Sequence, residues 1–439
     1  MGTSAAGGKE RSMTKKSFTT WKWSGLILFA LMYNFVYLGR FNVNNLMGHF
    51  AEELVITTEM QQELIAISVF ISYAVGSFFN GYLADRLGAK KVIVCGGLMT
   101  ILMNLLVSLA QNWILLLALW LINGYFQSMI WVGGISFLSQ WWGEGERGKG
   151  IGIANFFSGM SHATAYLIPV LLLSFWPMLN WRMNFVLPMA ILLVFVLLFA
   201  VFAKERPEAV GLQPYEVSGK RELRREKMLR QLQREKCTPW RIFFRQPKFW
   251  WWCAIAMLSS ICRYGLLNWI PLYYETYRSS RLLSESFSNL TLPIGMAVGT
   301  LMITWVAGTK LLYNKGIIVT AMAAICASLV VIFPMVDHTQ SVLVGIFCTG
   351  FVLYGINGIL WLYAIDQGCR CFAGSAAGIL NGFAYLGACM ERILFPLALH
   401  LFQSYLSVFI VMEVLFICMV ICGMVVSEKN TTIVPEVRD

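Results

Sequence analysis

The sequence predicts an all-α integral membrane protein, with twelve transmembrane helices in two six-helix, pseudo-symmetric bundles. Three observations carry that prediction. Of 439 residues, 58% are hydrophobic and only 13% charged, a balance that no soluble globular domain needs. Apolar runs long enough to cross a bilayer recur along the whole length. One long polar, basic stretch divides them six and six, the layout of a duplicated architecture.

The runs fall near 24–47, 61–84, 92–110, 113–140, 149–175 and 183–203 in the first half. Those of the second half fall near 250–277, 288–311, 316–335, 341–365, 374–400 and 403–427. The first is too long and too polar in its second part to be a cleaved signal peptide. The domains are therefore a tail at 1–23, a bundle at 24–203, a linker at 204–248, a second bundle at 249–427 and a tail at 428–439. Within the linker, "GKRELRREKMLRQLQREK" alternates basic and acidic residues at helical spacing, which predicts a surface helix able to lie against anionic headgroups. Lys and Arg concentrate in "KERSMTKKS", "DRLGAKK", "GEGERGKG" and "LLYNKG". The alternate loops are short or acidic, "YRSSRLLSES" excepted, so both termini are expected in the cytoplasm.

The net charge of +11 is this same asymmetry and implies no nucleic acid. Eleven cysteines are scattered with no metal-ligand spacing, and Cys369 and Cys371 form a lone CxC, so they read as small hydrophobes in a reducing compartment. No Walker loop, GxSxG or zinc motif is present, and no extramembrane segment is large enough to hold an active site. An enzyme is not expected, nor a metal or cofactor. The tryptophans Trp250, Trp251 and Trp252 read as an interfacial belt.

Charges inside the spans are the informative residues. Arg40 lies about sixteen residues into the first span, at a depth where an arginine costs ~2.5–3.5 kcal/mol even on lenient scales. Arg263, in "MLSSICRYGLLNWIPLYY", lies about fourteen residues into the seventh. These are the first helices of each half, so a pseudo-two-fold sets the arginines across one central cavity. Two unpaired guanidiniums repel unless an anion visits between them, and their forked donors match phosphate geometry. Tyr33, Tyr37, Arg40 and Asn44 share one face of the first span. His162 in the fifth span is either a substrate contact or a packed histidine. Glu391 and Arg392 are adjacent in the eleventh, about 100° apart, and are not expected to pair with each other. Asp366 and Arg370 read as a pair near a cytoplasmic end. Trp131, in "GYFQSMIWVGG", is either cavity wall or packing.

"GYLADRLGAKK" at 81–91 resembles the signature of the major facilitator superfamily. The resemblance implies that fold, and a cytoplasmic gating latch with Asp85, Arg86 and Lys90 in its positions. In the second half, "TWVAGTKLLYNKG" keeps the length but has Gly308 where the acid would stand. A finer likeness is to the organophosphate:phosphate antiporter family. "YLGRFNVN" resembles its first-helix Tyr-Leu-x-Arg-x-Asn, and "CRYGLLNW" its seventh-helix Arg-Tyr-Gly-x-x-x-Trp. "WWGEGERG", "RPEAVGLQP" and "AGSAAGILNGFAYLGA", which holds Tyr385, agree as well.

That resemblance implies a monomeric importer in a bacterial inner membrane, exchanging a small phosphorylated or related oxyanion for inorganic phosphate by rocker-switch alternating access. Arg40 and Arg263 would clamp the phosphoryl group, with Tyr33, Tyr37, Asn44, Trp131, His162, Tyr385 and Glu391 as further substrate contacts. The chain departs from the family at Ser77, where a lysine is common, and at Ser158, where a histidine is. An aspartate and a lysine of the eleventh helix are matched by Ala388 and Glu391. One cation fewer and one acid more suit a less negative cargo, or proton coupling through Glu391. Two alternatives therefore stand beside antiport: a proton-coupled symporter of a phosphonate or carboxylate, and a non-transporting membrane sensor of sugar phosphate.

Overall fold

The first span is built from two helical pieces, because the path breaks at Tyr37: α1 covers Thr3–Val36 and α2 covers Leu38–Phe50. These come from a computed structural model that describes residues 3–176, 180–215, 217, 220–276, 288–309, 314–336 and 339–427. The first half continues with α3 (Glu59–Leu87), α4 (Ala89–Val107), α5 (Trp113–Trp141), α6 (Arg147–Phe175) and α7 (Met183–Phe202). The linker holds α8 (Lys220–Arg234) and the short α9 (Pro239–Phe244). The second half is α10 (Pro247–Thr276), α11 (Ser288–Ala307), α12 (Lys315–Ile332), α13 (Thr339–Gly368), α14 (Ala373–Phe402) and α15 (Leu406–Ser427). No strand occurs among the described residues.

Eleven of these segments are long and apolar enough to cross a membrane. The twelfth is α6, 29 residues long, whose middle carries Asn155, Ser158, Ser161 and His162. Helix starts follow ordinary capping chemistry. Thr58 and Gln61 form a reciprocal box at the start of α3, and the Asn112 side chain accepts from the Leu115 amide at 2.8 Å. The most apolar spans, α7, α12 and α15, are also the least covered by protein, whereas the α1–α2 and α10 spans are the most covered. Lipid contact thus selects uniform apolarity, and the interior tolerates polar side chains only where they find partners. The linker helix predicted from charge spacing is α8. Trp250 and Trp251 are exposed as an interfacial belt requires, but Trp252 is buried and stacks on Tyr363 at 4.2 Å. It is core, because its turn of α10 faces α13.

The halves meet along α3 against α14 and α6 against α11. At the end nearer the linker this contact is backbone on backbone. A Cβ on Gly81 would strike the Gly374 carbonyl and sit 3.0 Å from the Gly378 Cα, so no larger residue permits this approach. Polar bridges reinforce it. Asp85 accepts from the Gly374 amide at 2.9 Å, the Ser375 amide at 2.6 Å, the Ser375 hydroxyl at 2.7 Å and the Ser136 hydroxyl at 2.8 Å. Arg147 at the start of α6 pairs with Asp366 on α13 at 3.1 Å and with Glu222 on α8. The expected Asp366–Arg370 pair does not form. Asp366 is taken by Arg147 and Lys315, while Arg370 pairs with Glu208 of the linker at 2.8 Å. At the far end the halves touch through rings such as Phe70 with Tyr264 at 5.2 Å and through an exposed ion pair, Glu63 with Arg392 at 3.0 Å, the latter worth no more than about 1 kcal/mol.

The packing makes a prediction. Gly81→Leu should force the linker-side ends apart, and a spin-label distance between Leu87 and Trp305, both exposed, should lengthen. An unchanged distance distribution would show that the glycine contact does not hold this end closed.

Candidate functional site

The break at Tyr37 sets the site. The Arg40 and Phe41 amides bond back to the Tyr37 carbonyl at 3.0 and 3.1 Å, and two residues on, side chains gather at the Gly39 carbonyl. That carbonyl accepts from Asn104 Nδ2 at 3.2 Å, Asn123 Nδ2 at 3.0 Å and Gln127 Nε2 at 2.7 Å. Glycine is required here, since a Cβ would lie 2.8 Å from Asn104 Nδ2. The other end of the Gln127 amide accepts from Arg40 Nε at 2.7 Å. Arg40 Nη1 donates to the Tyr385 hydroxyl at 2.6 Å, and the guanidinium lies over the Tyr37 and Tyr73 rings at 4.4 and 4.6 Å. The side chain is 1% exposed, and its Nη2 has no hydrogen-bond partner.

Arg263, on α10, is held more loosely. It reaches Ser260 Oγ only at 3.5 Å and lies over the Tyr264 ring at 4.5 Å, with a buried, unpartnered Nε. Among the described residues no carboxylate pairs with either arginine. Aromatic faces lie against both guanidiniums, and a neutral amide accepts from Arg40. A carboxylate would neutralise an arginine permanently; these partners leave donors available.

Between the halves lies a small cavity lined by Arg263, Tyr33, Tyr37, Trp131, Trp361 and Tyr385, with hydroxyls and amides from Ser158, Ser259, Ser260, Tyr354, Asn357 and Asn381. Its free room is about 20 Å³, enough for about one water. The indole N–H groups of Trp131 and Trp361 are buried without partners, and the two rings meet edge-on at 5.5 Å. The unpaired groups on the arginines and tryptophans are therefore all donors. A buried donor left unpaired costs about 1–3 kcal/mol, and an oxyanion would satisfy several at once.

The sequence-derived residues divide into those the fold brings together and those it does not. Tyr33, Tyr37, Trp131, Arg263 and Tyr385 line the cavity. Arg40 stands one layer behind, covered by Tyr37, Tyr73 and Tyr385. His162 packs edge-on to Tyr37 at 4.8 Å and lines a neighbouring pocket with Phe41 and Asn268, away from the linker side. Glu391 does not reach the cavity either. It is 2% exposed and accepts from Trp269 Nε1 at 3.0 Å and Asn268 Nδ2 at 3.3 Å. As expected, it does not pair with Arg392. The Asn44 side chain lies outside the described residues. Asp85 joins the halves, whereas the Arg86 side chain reaches only Tyr82 and Lys90 meets Glu205 through its backbone amide. Sequence reasoning missed Asn104, Asn123, Gln127, Ser259, Ser260 and Tyr354. It also missed Trp361, which the duplicated layout would have supplied as the partner of Trp131.

Ser77 and Ser158, where a lysine and a histidine are common in the resembling family, are engaged. Ser77 donates to the Tyr73 carbonyl and accepts from Asn381, and Ser158 meets the Tyr354 hydroxyl at 3.0 Å. The amide network yields a prediction of its own. Gln127→Leu strips Arg40 Nε of its acceptor and should cost about 1.5–3 kcal/mol, lowering the thermal unfolding midpoint of purified protein. An unchanged midpoint would mean Gln127 does not compensate the charge.

The chain is similar over most of its length to several known proteins. The "Glycerol-3-phosphate transporter" of Bacillus subtilis is 25% identical over 369 residues, 80% of each chain. The "Probable sulfoacetate transporter SauU" of Cupriavidus necator is 26% identical over 370 residues, 82% of this chain and 83% of that one. The "Membrane sensor protein UhpC" of Escherichia coli is 22% identical over 76% of each. The crystal structure of the human organic anion transporter MFSD10 superposes with a TM-score of 0.70 over 92% of this chain and 99% of that one, at 12% identity, which speaks to the fold. The model of the Major Facilitator Superfamily matches residues 29–390. This multi-pass membrane chain belongs to that superfamily.

Proposed function

We propose that the protein is a secondary transporter that imports a small organophosphate or related oxyanion in exchange for inorganic phosphate. One observation carries the reading: Arg40 and Arg263, buried beside one cavity in opposite halves, have no carboxylate partner and keep unpaired N–H groups. Relatives named for glycerol 3-phosphate, hexose phosphate and sulfoacetate support an oxyanion cargo. The concentration of Lys and Arg on the linker side supports a cytoplasmic placement of that side and both termini, and the bacterial relatives support an inner membrane.

The cavity is too small for a phosphate ester as it stands, so cargo entry must part the aromatic layer. Among the described residues the linker-side end is closed by backbone contacts and several bridges, the far end by an exposed ion pair and stacked rings. The far end opens at lower cost. An anion entering there would draw Arg40 Nη2 out from behind Tyr37 and Tyr385, toward Arg263. Occupied donors would then favour the reverse rock, with release on exchange for phosphate. Asp85 acts in the closed linker-side gate, and Arg86 and Lys90 border it.

A second reading has its own support: Glu391 is buried on neutral donors, and Asn268 links it to the pocket beside His162. A proton-coupled symporter of a phosphonate, sulfonate or carboxylate would use that acid.

Reconstituted vesicles separate these readings. Loading with phosphate should drive uptake of labelled glycerol 3-phosphate or sulfoacetate, and counterflow should occur. Uptake driven by a proton gradient alone would favour symport instead, and no counterflow at all would favour a sensor. Arg40→Lys and Arg263→Lys keep the charge but lose the fork. Each should lower transport about 10- to 150-fold, the worth of a charged hydrogen bond of about 1.5–3 kcal/mol, with insertion unchanged. Normal transport by both variants would rule out the clamp.

A further inference from the structure

A second cavity, of about 1220 Å³, lies outside the central site, between the α3–α4 turn, the start of α4 and the linker helix α8. It exceeds the ~300–1,000 Å³ of pockets that enclose small ligands. Its walls differ in chemistry. The rim carries Arg86, Lys90, Lys91, Arg206 and Arg234 beside Glu205, whose carboxylate accepts from the Lys90 backbone amide at 2.8 Å, and no carboxylate forms an ion pair with any of these cationic side chains among the described residues. One wall is the apolar flank of α4, with Val94, Leu98 and Met99. Leu98 is 42% exposed on a spanning helix, so this wall meets acyl chains.

The floor adds an independent sign. The Arg370 side chain is 8% exposed, it lines the cavity, and its Nε is buried without a hydrogen-bond partner. Its other nitrogen is engaged by Glu208 at 2.8 Å. Burial opposes the charge on Glu208, yet the Arg370 hydrogen bond holds that carboxyl below the usual carboxylate range. Glu208 therefore keeps its charge and cannot serve the rest of the rim.

We propose that this cavity is a site for one anionic phospholipid of the linker-side leaflet, its phosphodiester on the Lys91–Arg234 rim and an acyl chain along Val94 and Leu98. Cations from α4 and from α8 face the same space, so one headgroup joins the linker helix to the first half. A soluble anion would use the rim but leave the α4 wall bare, and a zwitterionic lipid would bring a second cation to a surplus of cations. The bound lipid braces the closed linker-side end, because α8 also holds Arg147 through Glu222 and contacts Gln367 through Arg225 at 3.0 Å.

Native mass spectrometry of the full chain in detergent tests the site, titrating phosphatidylglycerol, phosphatidylcholine and the deacylated headgroup glycerophosphoglycerol. The wild type should retain phosphatidylglycerol in preference to the other two. Lys91→Gln with Arg234→Gln, both exposed and outside the transport machinery, should weaken that retention on the order of 10- to 30-fold. The control pair Lys227→Gln with Arg241→Gln, exposed linker cations outside the cavity, should not. Equal retention of the two lipids, equal loss in the control pair, or glycerophosphoglycerol binding as tightly as the lipid would each overturn the proposal.

Discussion

A guanidinium buried in a membrane protein must be compensated, and the partner chosen decides what the site can do. Here the bond from Arg40 Nε to Gln127 is the central choice. Gln127 is fixed by the Gly39 carbonyl, two residues past Tyr37, a carbonyl that Asn104 and Asn123 also hold. A neutral amide orients the charge without cancelling it. The tyrosine rings do the same from the side, so the site keeps a positive field in a space that excludes water. A carboxylate at position 127 would cancel the charge and leave no use for an anion.

The closures at the two ends follow from different physics. Glycine contacts and backbone amides on Asp85 are short-range and stiff, so the linker-side end is either closed or fully parted. Among the described residues the far end relies on stacked rings and an exposed ion pair, which are softer contacts. The linker adds a third body to the stiff end, since α8 contacts both Arg147 of the first half and Gln367 of the second. That unequal stiffness is what an alternating cycle needs if one face is to rest closed until cargo arrives.

Much of this was legible in the residues. Spans follow from apolarity, and the linker helix from alternating charges. The arginine pair stood out because a charge at that depth has few explanations. Other features were hidden for physical reasons. No proline marks the break at Tyr37, and the amides that gather just past it at Gly39 lie more than sixty residues away in the chain. Arg40 shares a face with Tyr37, yet ring stacking folds the tyrosine over it. Glu391 is as buried as any cavity residue, but the indole of Trp269 captures it first. His162 falls one layer off because Tyr37 occupies the space between. Asp366 and Arg370 looked like partners in sequence, but Asp366 found Arg147 across the interface between halves and Arg370 found Glu208 of the linker.

The central claim, that two uncompensated guanidiniums wait for a shared oxyanion, is tested most directly by a cryo-electron microscopy map recorded with saturating glycerol 3-phosphate or sulfoacetate. The account predicts density for the phosphate or sulfonate between Arg40 Nη2 and Arg263 Nε, with Tyr37 and Tyr385 drawn aside. Density bound elsewhere, with Arg40 still covered by its tyrosines, would contradict it.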